Sequence, residues 1–295
     1  MKLKQLEKKI KSKFFFINYF FPSTTQKLIS YETTSKLNSL FFSSFKKLKI
    51  KSLVECGASE ASASMKAIKL GLNALAIEAN PKTFEKITPP SFGKFIKKNY
   101  GLSDKESFLK FYFPKFDNSH GGTFYPKTNR DYNCIDVPSI RLDNLSEMSD
   151  IMKQPYALWI DIEGAQKEFL NGAKKTLNSK NCLIFKIEVE DQKLFKQQPW
   201  LSGDVNEFLV NSEYTPIFRD FEYSAQYNVL YVKNSLVSFF KDEIDLIIDK
   251  LNKKINLKAL IFFMIKNPKS ILSDLKIHLI KFFGKKFFNK IKSFF

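Results

Sequence analysis

Between Ser52 and Val232 the chain alternates short apolar runs with segments of helical periodicity, and this alternation restricts the fold more than any other feature. Strands that are apolar at nearly every position must be covered on both faces. Repeated strand–helix units achieve this in a mostly parallel sheet flanked by crossover helices. The runs predict strands at 52–55, 74–78, 95–99, 108–113, 157–161, 183–189, 215–221 and 228–232. Asn80 can offer its side-chain oxygen to an unpaired amide at a helix start, with Pro81 at the first helical position. From Ala165 onward, Ala165, Phe169, Leu170, Ala173 and Leu177 share one helical face. Gly172 in that helix costs about 1 kcal/mol against Ala, so it marks a close backbone approach or is an ordinary surface glycine. Residues 114–132, rich in turn formers and aromatics, read as a long loop or hairpin inserted between core strands.

The formal net charge of +18 lies in two flanking segments: residues 1–51 carry +10 and residues 236–295 carry +8, leaving the centre neutral. The organisation expected is a basic helical extension over residues 1–50, an α/β domain over 51–235 and a basic amphipathic helical extension over 236–295. Arg130, Arg141 and Arg219 are the only arginines. Base reading leans on the guanidinium fork, so specific nucleic-acid recognition is disfavoured. The lysine excess also fits the codon usage of an AT-rich genome. In the carboxyl-terminal segment Ile271, Leu275, Leu279, Phe282, Phe283, Phe287, Ile291 and Phe294 recur at helical spacing with lysines between them. Such a helix can lie on an anionic membrane, at about 1 kcal/mol per lysine near the surface, or pack on the core or on a second subunit. Cys56, Cys134 and Cys182 lack any CxxC spacing, so neither disulfides nor a zinc site is expected. The apolar run Phe14–Phe21 is short, broken by Asn18 and followed by no small-residue cleavage site. These features predict a cytoplasmic protein, with peripheral attachment to the inner face of the membrane and homo-oligomerisation both open.

Chemistry concentrates in two blocks. VECGASEASAS, Val54–Ser64, is a strand running through a small-residue turn into a helix, and Glu78 closes the next strand 21 residues after Gly57. An acid at that distance meets ribose hydroxyls in nucleotide-binding folds. Ser59, Ala61 and Ala63 stand where a pyrophosphate loop would need glycines, and Glu55 would repel phosphate. A nucleoside cofactor without phosphate, S-adenosylmethionine, suits the loop better. The cofactor-binding set read from the sequence is Glu55, Gly57, Ala58, Ser59, Ser64, Glu78, Ala79 and Asp161. Glu55 can equally be a plain helix cap. Glu78 is expected to serve the cofactor and not the fold. The second block, ALWIDIEGAQKEFLNGA, sets Asp161 and Glu163 at the carboxyl edge of the sheet, where open α/β sheets bind ligands. They can hold an amino group, take a proton from an acceptor hydroxyl, bind a cation or cap the following helix; no dedicated metal site is expected. His120, beside Gly121 and Gly122 in the long loop, is the third candidate for general base, and the two carboxylates are preferred for their defined position.

In order, VECGASEASAS, AIEANPKTFEKI, KNYGLSDKE, VPSIRLDNL and LWIDIEGAQKEFLNGAKKTL resemble the FkbM family of S-adenosylmethionine-dependent methyltransferases, over about residues 51–190. The resemblance implies a Rossmann-like class I methyltransferase fold with a seven-stranded sheet, and O-methylation of a sugar, glycolipid or natural product. It makes the partner a glycan, glycolipid or small-molecule acceptor. The family usually has Asp, Asn and Gly where this chain has Glu55, Ser59 and Ala61, a Lys or similar residue at Trp159, and Glu at Gln166. Ala61 is thereby expected to bring a methyl group near the cofactor. A non-catalytic membrane-associated interaction protein on the same fold is the competing reading.

Overall fold

A computed structural model describes residues 3–11, 22–115, 122–127 and 130–266. Two helices, α1 (Leu3–Lys11) and α2 (Pro22–Lys47), precede the alternating region. There follow β1 (Ser52–Cys56), α3 (Ser62–Lys69), β2 (Asn73–Ile77), α4 (Pro81–Lys86), β3 (Phe95–Lys98), β4 (Gly101–Leu102), β5 (Ser107–Pro114) and β6 (Tyr132–Ile140). The second half contains α5 (Ser146–Ile151), β7 (Tyr156–Ile160), α6 (Gln166–Gly172), α7 (Lys174–Asn178), β8 (Cys182–Glu190), α8 (Ser202–Asn211), β9 (Tyr214–Arg219), β10 (Gln226–Lys233) and α9 (Val237–Lys266).

Seven strands form one sheet in the order β3-β2-β1-β7-β8-β10-β9, parallel except for β10, which runs antiparallel to both neighbours. This is the Rossmann-like α/β fold that the alternation and the family resemblance imply. Strand order reverses between β1 and β7, so a crevice opens at their carboxyl ends. The two faces of the sheet are covered differently. On one, Phe41, Phe42 and Phe45 of α2 and Phe240, Ile244 and Ile248 of α9 share a core with Ile184 and Leu230. On the other, Phe169 of α6 and Leu209 of α8 pack with Ile160, Ile187 and Val229. Glu32 of α2, itself buried, takes Lys254 and Lys258 of α9 at 2.7 and 2.8 Å, which ties the two basic segments together.

The run at 108–113 does not enter this sheet. It forms most of β5, which pairs antiparallel with β6 in a three-stranded sheet completed by β4. Only part of β5 is buried and Phe108 is largely exposed, so the strand lacks the two covered faces that membership in the parallel sheet requires. Strand β6 has no clear sequence signature because Asn133, Asp136 and Pro138 interrupt its apolar pattern; Pro138 is tolerated in this middle strand because β4 pairs only with Ser139 and Ile140 and does not reach it.

Asn80 caps α4 as expected, its Oδ1 accepting the Lys82 amide at 3.1 Å. Ala165, Phe169, Leu170, Ala173 and Leu177 are all buried, yet the helix expected to carry them is two helices meeting at Ala173. Asp143 explains the break: its carboxylate accepts the amides of Lys175 and Thr176, both at 2.8 Å, and so caps α7 as a separate helix. Gly172 proves to be a close approach, since a Cβ there would lie 2.0 Å from the carbonyl oxygen of Ser103. The proposed membrane helix over residues 271–294 and the run Phe14–Phe21 lie outside the described residues. No helix among the described residues is long and apolar enough to cross a membrane.

Substituting Gly172→Ala must push α6 away from the loop after β4. A loss of about 3 kcal/mol in urea denaturation is expected, the upper range for overpacking a tight site; an unchanged midpoint would show that the backbone yields freely.

Candidate active site

At the end of β1 the chain turns at Gly57 with φ of +78°, and a Cβ at this position would sit 1.7 Å from the Asp161 carbonyl oxygen. Only glycine satisfies both demands. The amides of Gly57 and Ala58 donate to the Ile77 carbonyl at 3.0 and 2.9 Å, drawing the turn across the end of β2. There Glu78 accepts the Ser59 amide at 2.7 Å on Oε2 and the Asn80 amide at 2.8 Å on Oε1. Burial pushes its carboxyl above the usual carboxylate range, against the pull of those two amides. Gly57, Ser59, Glu78 and Ala79 line a cavity of about 180 Å³ whose opposite wall is Tyr100, Leu102, Phe111, Thr123 and Phe124, with Asp161 and Glu163 along it. A nucleoside fits these groups: Glu78 retains lone pairs for ribose hydroxyls, and the apolar wall suits a base. Gly57, Ser59 and Asp161 line the same cavity.

Beyond the nucleoside half the edge of the sheet is acidic. The Asp161 amide continues the ladder by donating to Cys56 at 2.9 Å. Glu163 has φ of +44°, and its carbonyl accepts the Thr123 hydroxyl at 2.6 Å, so the second sheet is fastened to the strand end. On β8, Lys186, Glu188 and Glu190 alternate with Ile187 and Val189 and so share one face. Asp161, Glu163 and Glu188 each bring a carboxylate oxygen within 4.8 Å of the others. Such a cluster can take a cation, and the protein places one of its own beside it. Lys186 is the register partner of Trp159, and its Nζ lies 3.6 Å from the centre of the indole.

Burial dominates the ionisation of this group. It raises Glu188 well above its ordinary value, with Asp161, Glu163 and Glu190 adding repulsion. It also raises Asp161, where the Lys186 charge and a hydrogen bond from Glu188 act in the opposite sense. Burial thus drives both carboxyls of the pair upward. Glu190, which accepts from Gln166 and Gln198 at 3.0 and 2.8 Å, is pushed up to about 7 by burial and by Glu163. The ammonium of Lys186 is pushed down by burial and supported by Asp161, Asp220, Glu188 and Glu222.

The sequence from residue 55 to residue 225 matches the Methyltransferase FkbM domain. The chain belongs to the FkbM methyltransferase family. The matched region holds the end of β1, all of β7 and the cleft at their carboxyl ends, so the cleft of this FkbM protein lies within its methyltransferase domain. It is 30% identical over 118 residues to the hexuronic acid methyltransferase AglP of Haloferax volcanii, covering 39% of this chain and 47% of the relative. The chain thus matches about half the length of that curated relative. Among solved structures it is similar to the magnesium protoporphyrin IX methyltransferase ChlM of Synechocystis with bound S-adenosylmethionine, at 8% identity and a TM-score of 0.41, over 70% of this chain and 80% of that one. A TehB-like methyltransferase of Corynebacterium glutamicum aligns at 9% identity and a TM-score of 0.34, over 62% and 80%.

Of the residues singled out from the sequence, Gly57, Ser59, Glu78, Ala79, Asp161 and Glu163 meet at the cleft of this FkbM protein. Glu55, Ala58 and Ser64 do not line it. Glu55 is buried, and its oxygens accept the amides of Ala63 and Ser64 at 3.1 and 2.7 Å, so it caps α3; burial pushes its carboxyl up to about 7. Ala58 packs in a small cluster with Ala61, Ala76 and Ile87. Ala61 accordingly puts its methyl group into the core and not into the cleft. Ser59 and Ala61 have φ of 46° and 56°. Asn and Gly, the family's usual residues there, enter that left-handed region more readily. His120 lies outside the described residues. The sequence reading overlooked Tyr100, Leu102, Phe111 and Phe124, which reach the cleft through the second sheet. It also overlooked Lys186, Glu188 and Glu190, although their period-two spacing at a strand end was a usable signal.

Glu78 does more than its sequence position suggested, because it also secures the turn. Glu78→Ala is expected to weaken S-adenosylhomocysteine binding by at least about 30-fold and to cost about 1–3 kcal/mol for the unpaired amides. Calorimetry and thermal melting read the two effects separately, and unchanged affinity would remove Glu78 from the cofactor site. For Glu190 the folded value of about 7 exceeds the ordinary 4.5, so folding favours the protonated form. Its contribution is full below pH 4.5 and is lost as pH rises through 7, at most about 3 kcal/mol. Glu190→Gln should flatten the fall in unfolding free energy between pH 5 and pH 8; a slope as steep as that of the parent would show that Glu190 titrates normally.

Proposed function

We propose that the protein transfers a methyl group from S-adenosylmethionine to a hydroxyl of a sugar, a glycolipid or a related saccharide. The observation that carries this reading is that Asp161 and Glu163 line the same cavity as Gly57, Ser59 and Glu78. Bound in that cavity, the cofactor supplies an electrophilic methyl group on a sulfonium. The residues then need only hold an acceptor oxygen in line with it and receive a proton, since alignment at roughly 3–3.5 Å provides much of the rate gain. Asp161 is the base in this reading, because it lines the cavity and burial pushes its carboxyl upward, which suits a group that must accept a proton. Glu163, held by Gln226 at 3.3 Å and near Lys127 at 3.9 Å, orients the acceptor. A saccharide acceptor is supported by the similarity to AglP, a hexuronic acid methyltransferase. A hydroxyl is favoured over a carboxylate because Glu78, Asp161 and Glu163 would repel a second anion in the cavity. The reading places the reaction in the cytoplasm.

The test is transfer of labelled methyl from S-adenosylmethionine to saccharide and glycolipid fractions of a cell-envelope extract, followed by mild alkali. Label on a sugar ether survives that treatment and label on a uronate ester is released, so alkali-labile product would reassign the acceptor to a carboxylate. Asp161→Asn should lower the rate by about 100-fold or more while cofactor affinity changes less than about tenfold. Absence of transfer to any fraction would favour the non-catalytic reading.

A further inference from the structure

The hairpin between β9 and β10 stands at the same edge of the sheet as the cleft. Strand β9 runs parallel to β7 and β8, so residues 220–225, which join it to β10, leave the sheet where Asp161 and Glu163 do. The hairpin is firmly tied down. Phe221 is buried in the core shared by α2 and α9, and its amide donates to Thr33 Oγ1 of α2 at 3.1 Å. Asp220 accepts the backbone amide of Asn228 at 2.8 Å and the Thr34 hydroxyl at 3.1 Å, and the Glu222 carbonyl accepts the Ser30 hydroxyl at 2.9 Å. The side chain of Tyr223 takes no part in this anchoring. It is 58% exposed, and among the described residues nothing hydrogen-bonds its hydroxyl or stacks on its ring.

One residue joins Tyr223 to the cleft. The Gln226 carbonyl accepts the Tyr223 amide at 3.1 Å, while Gln226 Nε2 lies 3.3 Å from Glu163 and 2.7 Å from Glu188. Strands β7, β8 and β10 are successive neighbours, so the way from Asp161 to the hairpin crosses two strand spacings, on the order of 10 Å. Groups that accept hydroxyl protons border this interval. Glu163 opens it at the cleft, and Glu222 closes it with an Oε2 bonded to Asn228 at 2.9 Å and an Oε1 that has no donor among the described residues. The Glu222 charge pushes the Tyr223 hydroxyl above its usual range, followed by burial and by Glu188, Glu163 and Asp161, in keeping with a phenol that looks back over this edge. A sugar ring presents an apolar face of C–H groups and a rim of hydroxyls. An aromatic ring packs on the first, while carboxylates and amides bond the second. The hairpin offers both, with its ring held on a fixed backbone.

We propose that Tyr223 is the stacking platform of an acceptor subsite: a saccharide chain lies across Gln226 and Glu222, with the ring to be methylated in the cleft and a following ring against Tyr223. The assignment rests on the reading of the protein as a saccharide methyltransferase. It adds that the acceptor carries at least two linked rings, because a single ring placed at Asp161 ends short of the hairpin. It also makes the β9–β10 end of the sheet, and not the cofactor turn, responsible for choosing the acceptor.

The test uses the full chain, with saccharides released from a cell-envelope extract and separated by size into monosaccharides and short oligosaccharides. Contact is read from the Tyr223 resonance in protein carrying ¹³C-labelled tyrosine rings and S-adenosylhomocysteine, assigned by its loss in Tyr223→Phe. Transfer of labelled methyl from S-adenosylmethionine gives KM for each fraction. Oligosaccharides should shift the Tyr223 resonance, and their KM should lie at least about tenfold below that of the monosaccharides. Tyr223→Ala should bring the two KM values within about threefold of each other, whereas Tyr223→Phe, which keeps the ring face, should retain the preference. Affinity for S-adenosylhomocysteine should stay within about threefold of the parent in both variants, which shows that the cofactor half is intact. A preference undiminished in Tyr223→Ala overturns the proposal, and so does its loss in Tyr223→Phe to the same extent as in Tyr223→Ala. Methylation of oligosaccharides that leave the Tyr223 resonance unmoved defeats the subsite alone. If the parent labels no saccharide, the proposed function falls, and the resonance still decides the platform: a shift with oligosaccharides supports it and no shift overturns it.

Discussion

The site depends on how tightly β1 passes β7 at the carboxyl edge of the sheet. Gly57 and the Asp161 carbonyl occupy space that no other residue could share, and the Asp161 amide extends the parallel ladder to Cys56. This single crossing fixes the cofactor turn and the candidate base with respect to each other. Rigid strands, not mobile loops, thus set their separation, which suits a displacement whose rate depends on alignment.

A second consequence of that edge is electrostatic. Burying several carboxylates together costs stability unless protons, donors or a cation offset their charge. The protein draws on all three: burial and repulsion push Glu188 toward its protonated form, Gln166, Gln198 and Gln226 supply side-chain amides, and Lys186 supplies an ammonium. The arrangement resembles a functional site more than a structural one, since an apolar edge would be easier to bury.

Much of this was legible in the sequence. The strands of the main sheet stood out because both of their faces are apolar, and Asn80–Pro81 announced its helix through elementary capping chemistry. Gly57, Glu78, Asp161 and Glu163 were visible because strand ends in such sheets face the ligand. Long-range partners were not legible. Nothing near Glu55 tells whether its carboxylate will meet a cofactor or the start of α3, and nothing near Leu177 announces that Asp143 will split the helix. The second sheet escaped notice because β6 is broken by polar residues and proline, so the run holding Phe111 was read as a strand of the main sheet and not as part of the cleft's wall. Lys186 was an intermediate case: its spacing from Glu188 was visible, but its seat on Trp159 needed the register of β7 against β8.

The cleft has two sides of different origin. Its floor belongs to the parallel sheet, while its wall belongs to the small sheet of β4, β5 and β6, and the Thr123 hydroxyl on the Glu163 carbonyl is one of the seams between them. A seam of this kind lets one side of the cleft change without the other. A change in the chain between β5 and β6 would therefore alter the wall through Thr123 and Phe124 while leaving Gly57 and Glu78 in place.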